Sequence, residues 1–158
     1  MNEEQNPMTG FKTLELAFSQ GFRMEKVSGT NDIFYVKDRG LRAFRYTYAR
    51  LDNLKVLQII VLDENEPLNG IPCFCLFYGT LEKLREKGKT TSFIKEILTR
   101  FKNNLPSDIR EYYIETIVEL DNKASLAIAS KLFGEPAHDG TDEITGEETR
   151  IWQTKIVK

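Results

Sequence analysis

The chain has 158 residues, a formal net charge of −2, 41% hydrophobic residues and 29% charged residues, the proportions of a soluble globular protein. That length fits one domain, residues 1–158, with a sizeable core. The slight acidic balance argues against a chain built to coat nucleic acid, although Arg39, Arg42, Arg45 and Arg50 lie close together. No apolar run reaches the ~20 residues of a bilayer span, and residues 1–10 lack the apolar centre of a signal peptide, so a cytoplasmic protein without membrane attachment is expected.

Residues 1–8 read as a disordered lead-in. Over residues 9–20, Phe11, Leu14, Ala17 and Phe18 recur at helical spacing, and Gly21 is placed to end the helix. A series of strands follows. Residues 22–27 and 33–37 flank the turn residues 28–32. Residues 41–50 alternate, with Ala43, Arg45, Thr47 and Ala49 on one face and Phe44, Tyr46 and Tyr48 on the other. Residues 55–62 form the next strand of this antiparallel meander, and 63–70 read as an acidic, flexible loop. Exposed strand aromatics such as Tyr46 and Tyr48 could serve a homodimer.

The apolar run in 71–78 predicts a strand covered on both faces. Its cysteines, Cys73 and Cys75, point in parallel from one face, a poor start for a disulfide. With His138 as the only other soft ligand they are too few for zinc. They read as buried free thiols, and no metal is expected. After the basic loop 85–90, Phe93, Ile94, Ile97, Leu98 and Phe101 make a helical stripe that ends before Pro106. Residues 112–120 form another interior strand, parallel to 71–78 through a helical crossover. A short helix over 122–132 follows, stopped at Phe133-Gly134-Glu135-Pro136. The tail reads as a hairpin with turns at Asp139-Gly140 and Thr145-Gly146 and a last strand through Ile151, Trp152 and Ile156.

The loop Arg85-Glu86-Lys87-Gly88-Lys89-Thr90 stands at the start of a helix after a strand. Free backbone amides and the positive end of the helix dipole suit a phosphate there. Gly88-Lys89-Thr90 invites a nucleotide P-loop, but Lys83 stands where that motif needs its first glycine.

Arg85-x-x-Gly88-x-Thr90 resembles the Q/R-x-x-G-x-G/A pyrophosphate loop of the GNAT superfamily of CoA-dependent N-acetyltransferases. One strand downstream, Asn122-Lys123-Ala124-Ser125 and Ala129-Ser130-Lys131-Leu132 resemble the N-x-A-S…A-x-K-L segment of its ribosomal-protein acetyltransferase-like branch. The resemblance covers roughly residues 55–158. Thr90 departs from the family's Gly/Ala, Phe133-Gly134 reverses its Gly-Phe, and residues 1–54 do not show its strand–two-helix opening. It implies an α/β (mixed α+β) protein with the GNAT-like acyl-CoA N-acyltransferase fold, a central mixed, largely antiparallel sheet flanked by helices. It also implies transfer of an acetyl group from acetyl-CoA, as cosubstrate, directly to a primary amine on a small molecule, a protein N-terminus or a lysine.

In that frame the amides of Glu86, Lys87, Gly88, Lys89 and Thr90 would cradle the pyrophosphate, with Arg85 adding charge. Asn122 would meet the pantetheine arm or a water, cap its helix, or do both. The family's usual acid, a tyrosine seven positions after the asparagine, is replaced by Ala129. Ser125 could donate to the sulfur or simply satisfy the first helical turn. Glu115 and Glu119 are candidate bases acting through water, or exposed strand glutamates. Tyr78, Tyr113 and Trp152 either shape the site or pack in the core, and His138 reads as a solvent-facing loop residue. The missing acid leaves open a second reading, a non-catalytic domain of this fold binding CoA or a protein partner.

Overall fold

The computed structural model describes the backbone of residues 7–158 apart from 41, 86 and 87, and side chains from residue 10 onward. Helix α1 (Pro7–Ser19) opens it, so Pro7 and Met8 belong to a helix and not to a lead-in. Proline fits a first helical turn because its missing N–H would have had no partner there. Residues 1–6 lie outside the described residues. The helix ends as its sequence predicts. Gly21 takes φ 97°, and the N–H groups of Gly21 and Phe22 return to the carbonyls of Phe18 and Ala17 at 3.1 and 3.0 Å, satisfying carbonyls the helix leaves open.

The strands are β1 (Glu25–Lys26), β2 (Ile33–Arg39), β3 (Phe44–Asp52), β4 (Lys55–Leu68), β5 (Ile71–Thr80), β6 (Glu111–Glu119), β7 (His138–Thr141) and β8 (Glu148–Val157). They form one sheet in the order β1-β2-β3-β4-β5-β6-β8-β7. Every pair is antiparallel except β5 and β6. Helix α2 (Lys89–Asn104) makes the crossover between those two, and α3 (Lys123–Phe133) leads from β6 to the closing hairpin. The expected mixed, largely antiparallel sheet flanked by helices is what the structure has.

Four local expectations are corrected. Of residues 22–27, only Glu25–Lys26 pair as a strand. The acidic stretch after Leu62 is not a loop: β4 continues through it to Leu68, pairing with β5 around an irregularity between Asn65 and Leu68. The hairpin then turns at Asn69 and Gly70, with φ 54° and 77°, the left-handed pair that an Asn-Gly hairpin turn requires. Asp139-Gly140 is strand, not turn: Asp139 pairs with Arg150 in register and by a side-chain ion pair at 2.8 Å. The turn falls on the residues after Thr141, with Gly146 at φ 75°. Finally, Tyr48 is fully buried and offers no dimer surface, while Tyr46 is half-buried and packs edge-on against Phe74 and Phe101.

The two sheet faces are covered by different helices. Against α1, Phe11 and Phe18 pack with Ala49, Val56 and Ile59. On the other face, Phe93, Ile94, Ile97 and Phe101 of α2 pack with Ile60, Leu62, Phe74, Leu76, Tyr112 and Ile114. The even-numbered residues of β5 and β6 therefore face the α2 side. Beyond them, Val118, Ala129 and Trp152 make a smaller cluster under α3. The arginines of the β2–β3 region meet carboxylates: Arg42 with Glu66 at 2.9 Å, Arg45 with Asp38 at 2.6 Å, Arg50 with Asp32 at 2.6 Å. Both cysteines are free, Cys73 buried and Cys75 half-buried.

Candidate functional site

The site follows from where β5 and β6 part. They share parallel register only from Cys73↔Tyr113 to Cys75↔Glu115, yet β5 runs on to Thr80 and β6 to Glu119. Past the last shared rung, β5 keeps its pairing with β4 and β6 keeps its pairing with β8. Each strand thus turns one row of backbone N–H and C=O groups towards the gap, as an edge strand does. The gap is a cleft of about 890 Å³, lined by residues 76–80 of β5 and 116–119 of β6. Consecutive residues of both strands line it, so residues belonging to both faces of the sheet border it.

The wide end of the cleft is bounded by Arg85, Gly88, Thr90 and Thr91 on one side and by Asn122, Ala124, Ser125 and Ile128 on the other. Gly88 is the N-cap of α2 in a left-handed conformation, φ 67° and ψ 6°, and offers no side-chain cap. Among the described residues no side chain caps the first amides of α2, an arrangement that suits an external acceptor. A Cβ built on Gly88 would meet nothing within 4 Å, so the backbone here stands open to a close approach. These features fit the phosphate end of a nucleotide-bearing cosubstrate. Glu86 and Lys87, expected to join this cradle, lie outside the described residues.

A buried polar chain holds this end in place. Arg50 donates through Nε to Gln58 Oε1 at 2.9 Å, and Gln58 Nε2 donates to the Lys89 carbonyl at 3.2 Å. The hydroxyls of Thr80 and Thr90 share a hydrogen bond at 2.7 Å, tying the end of β5 to the first turn of α2. Arg85 folds back, its Nε donating to the Thr80 carbonyl at 2.9 Å. Gln58 is almost fully buried, and satisfied networks of this kind rigidify what they join.

Across the cleft, Asn122 caps α3: its Oδ1 accepts from the Ser125 N–H at 3.1 Å. The capping role read from the sequence is realised, and the same residue lines the cleft. Ser125 lines it too, and its carbonyl accepts a hydrogen bond from the Tyr78 hydroxyl at 3.2 Å. Burial pushes the Tyr78 phenol up to about 12, so it is a protonated donor at neutral pH. Thr116, on β6, is buried and lines the cleft, and its Oγ1 has no hydrogen-bond partner among the described residues. An orphaned buried hydroxyl costs about 1–3 kcal/mol.

The two candidate carboxylates separate. Glu119 lines the cleft, whereas Glu115 does not. Glu115 sits on the last shared rung, on the face away from α2, where Gln153 Nε2 donates to its Oε2 at 2.7 Å. Its Oε1 takes longer bonds, each 3.5 Å, from Asn65 Nδ2 and the Cys75 thiol. Desolvation, with the neighbouring Glu115 charge second, pushes the Cys75 thiol well up, and Cys73 to about 11 for the same reasons. Both are inert thiols at neutral pH.

Three further residues settle structurally. Trp152 is core, its Nε1 donating to the Gly134 carbonyl at 2.9 Å. Ala129 is completely buried beside Trp152 and Val118, so this position faces packing and not the cleft. His138 is exposed but opens β7 instead of lying in a loop. Sequence reasoning missed Thr116 and left Tyr78 open between the site and the core. In the structure both stand on the face towards α2, and where that face becomes a cleft depends on the parting of β5 from β6. Among the described residues no cluster of three or more His, Cys, Asp or Glu side chains could hold a metal ion, and no helix is long and apolar enough to cross a membrane.

No family model matches the sequence, and no curated protein matches it. Solved structures do match the fold. An acetyltransferase from Salmonella typhimurium that modifies the N-terminal serine of a 50S ribosomal subunit protein superposes with a TM-score of 0.55 at 17% identity, over 71% of this chain and 64% of that one. A GNAT-family acetyltransferase from Streptococcus pneumoniae gives 0.54 at 15% identity, over 71% and 66%. A ribosomal alpha-N-protein acetyltransferase in complex with coenzyme A gives 0.54 at 17% identity, over 71% and 62%. The match spans less than two thirds of each of these chains. This chain has the GNAT acetyltransferase fold.

Proposed function

We propose that this chain, having the fold of the GNAT acetyltransferases, is itself an N-acetyltransferase that moves an acetyl group from acetyl-CoA to a primary amine by direct attack. The observation that carries this reading is the cleft between the inner edges of β5 and β6, ending at the left-handed Gly88 and the uncapped start of α2. A ligand with a pyrophosphate and an amide-bearing arm matches both parts: phosphate oxygens accept from helix-terminal amides, and arm amides pair with strand edges. The neighbour crystallised with coenzyme A supports the same ligand.

Acetyl-CoA supplies an activated thioester. In the proposed reaction the amides of Gly88, Lys89, Thr90 and Thr91, with Arg85, hold the phosphates, and Asn122 holds the arm beside the start of α3. The acceptor amine approaches from the face away from α2, where the odd-numbered residues Phe77, Ile117 and Glu119 border the cleft. Its lone pair adds to the carbonyl carbon, and the C–S bond then breaks. The departing sulfur takes a proton from Ser125 or Tyr78, and the nitrogen gives one up through water to Glu119 or Glu115. Glu115 acts only with its Gln153 bond kept or exchanged, which makes it an acceptor for a proton relayed by water. The acceptor is a small amine, a protein N-terminus or a lysine, and the protein works in the cytoplasm.

The test is a thermal melt followed by product detection. A Tm rise that grows with acetyl-CoA concentration is expected, as is acetylated product from a panel of amines and N-terminal peptides. No Tm change at millimolar acetyl-CoA would sink the cosubstrate assignment. Binding without product from any amine class would leave a CoA-binding domain without catalysis.

A further inference from the structure

We infer that the narrow end of the cleft is an acyl-recognition site, in which the Thr116 hydroxyl donates a hydrogen bond to the carbonyl oxygen of the bound thioester. This rests on the acetyl-CoA reading above and adds a residue and a role to it. Thr116 is the first residue of β6 beyond the last rung shared with β5. On its face the neighbours along the strand are Ile114 and Val118, and its cross-strand partner is Trp152, all three buried. Valine would fit such a row in shape without leaving a polar atom unpaired. The threonine instead leaves a buried hydroxyl with no partner among the described residues, and a group of that kind calls for a reason.

Its place supplies the reason. The phosphate cradle is at the wide end, at Gly88, and Thr116 is at the other end. Residues 76–80 of β5 alone span roughly 13 Å between them at ~3.3 Å per residue. An extended ligand anchored by its phosphates at Gly88 therefore brings its far, reactive terminus towards Thr116. Three of the cleft hydroxyls are engaged: Tyr78 with the Ser125 carbonyl, Thr80 and Thr90 with each other. One staggered step about χ1 carries the threonine Oγ1 into the place held by Cγ2 or by Hβ, the rotation by which the hydroxyl would meet the ligand's carbonyl oxygen. As the amine adds, the carbonyl oxygen gains negative charge and the hydrogen bond from Thr116 strengthens. When the C–S bond breaks, its electron pair leaves with sulfur, which gains a proton as nitrogen loses one. Thr116 keeps its own proton throughout.

Thr116→Val and Thr116→Ser separate this role from a structural one. Titration calorimetry with acetyl-CoA and with CoA, melting of the free protein, and turnover with a competent amine are the readouts. Thr116→Val is expected to melt no lower than wild type, to bind CoA as wild type does, and to bind acetyl-CoA roughly three- to tenfold more weakly. Its turnover should fall on the order of a hundredfold, with Thr116→Ser close to wild type. A lower melting temperature or failure to fold in Thr116→Val means the hydroxyl is structural, and equal losses or none for the two ligands mean that it does not read the acyl group. Each of these overturns the inference alone. Wild-type protein that binds neither ligand overturns the acetyl-CoA reading and this inference together.

Discussion

Replacing Gly88 with alanine tests whether its backbone serves a ligand or only a turn. Gly88 sits at φ 67°, ψ 6°, where an L-residue with a Cβ pays about 1 kcal/mol relative to glycine. An added Cβ would meet nothing within 4 Å, so no packing clash enlarges that cost. In a chain of 158 residues it lowers Tm by ~2–4 °C. The effect on binding is separate. The same methyl stands where phosphate oxygens would approach the first amides of α2. Losing one charge-assisted hydrogen bond there costs about 1.5–3 kcal/mol, or roughly 10- to 150-fold in Kd for CoA. Gly88→Asn divides the two causes, because asparagine tolerates the left-handed region yet fills more space. The expected pattern is a Tm that recovers in Gly88→Asn while CoA affinity, measured by calorimetry, stays poor in both variants. A wild-type Kd in Gly88→Ala alongside the lower Tm would refute the phosphate cradle.

Asn122→Ala removes the acceptor for the Ser125 N–H and should cost about 1 kcal/mol by urea denaturation, whereas Asn122→Asp keeps the cap; equal stability of all three would mean that the cap contributes nothing. Tyr78→Phe and Ser125→Ala should lower turnover more than CoA affinity, and the pH profile of turnover should shift only in the variant that loses the acid, so unchanged rates in both would remove the two hydroxyls from the chemistry. Burial holds Cys73 at about 11 against an ordinary 9.0, and Tyr48, Tyr78 and Tyr112 at about 12 against 10.0. The folded chain thus keeps protons that the unfolded chain sheds, and stability is full below about pH 9 and lost as pH rises through 11 to 12. A urea midpoint that stays constant from pH 8 to pH 11 would contradict this.

Local signals carried the sequence reading well where the structure is locally determined. The glycine before Lys89, the stripe from Phe93 to Phe101 and the asparagine before Lys123 each depend on a few neighbouring residues, and each takes the place at its helix that was read for it. The far part of β4 was not legible because Asp63, Glu64 and Glu66 suit a loop by composition. Pairing with β5 and the Asn69-Gly70 turn override that preference. Tyr46 and Tyr48 looked exposed because alternation says which residues share a face but not which face is covered. Nor does any local pattern reveal that Gln58 reaches the Lys89 carbonyl 31 positions away, or that Thr116 lies just past the last common rung. Such facts belong to the assembled sheet.

The short contact between β5 and β6 also bears on how the molecule comes together and comes apart. Strands β2 to β5 are successive hairpins, and β8 folds back onto β6 and β7, so the sheet divides into two halves, β1 to β5 and β6 to β8. Only three rungs and the helices join the halves along the sheet. This seam is the natural line for sub-global opening, and amide exchange at residues 76–80 and 116–119 should report it before the hairpin interiors do. A ligand lying along the seam touches both halves at once. It would therefore stitch the seam between them, making two semi-independent halves unfold as one.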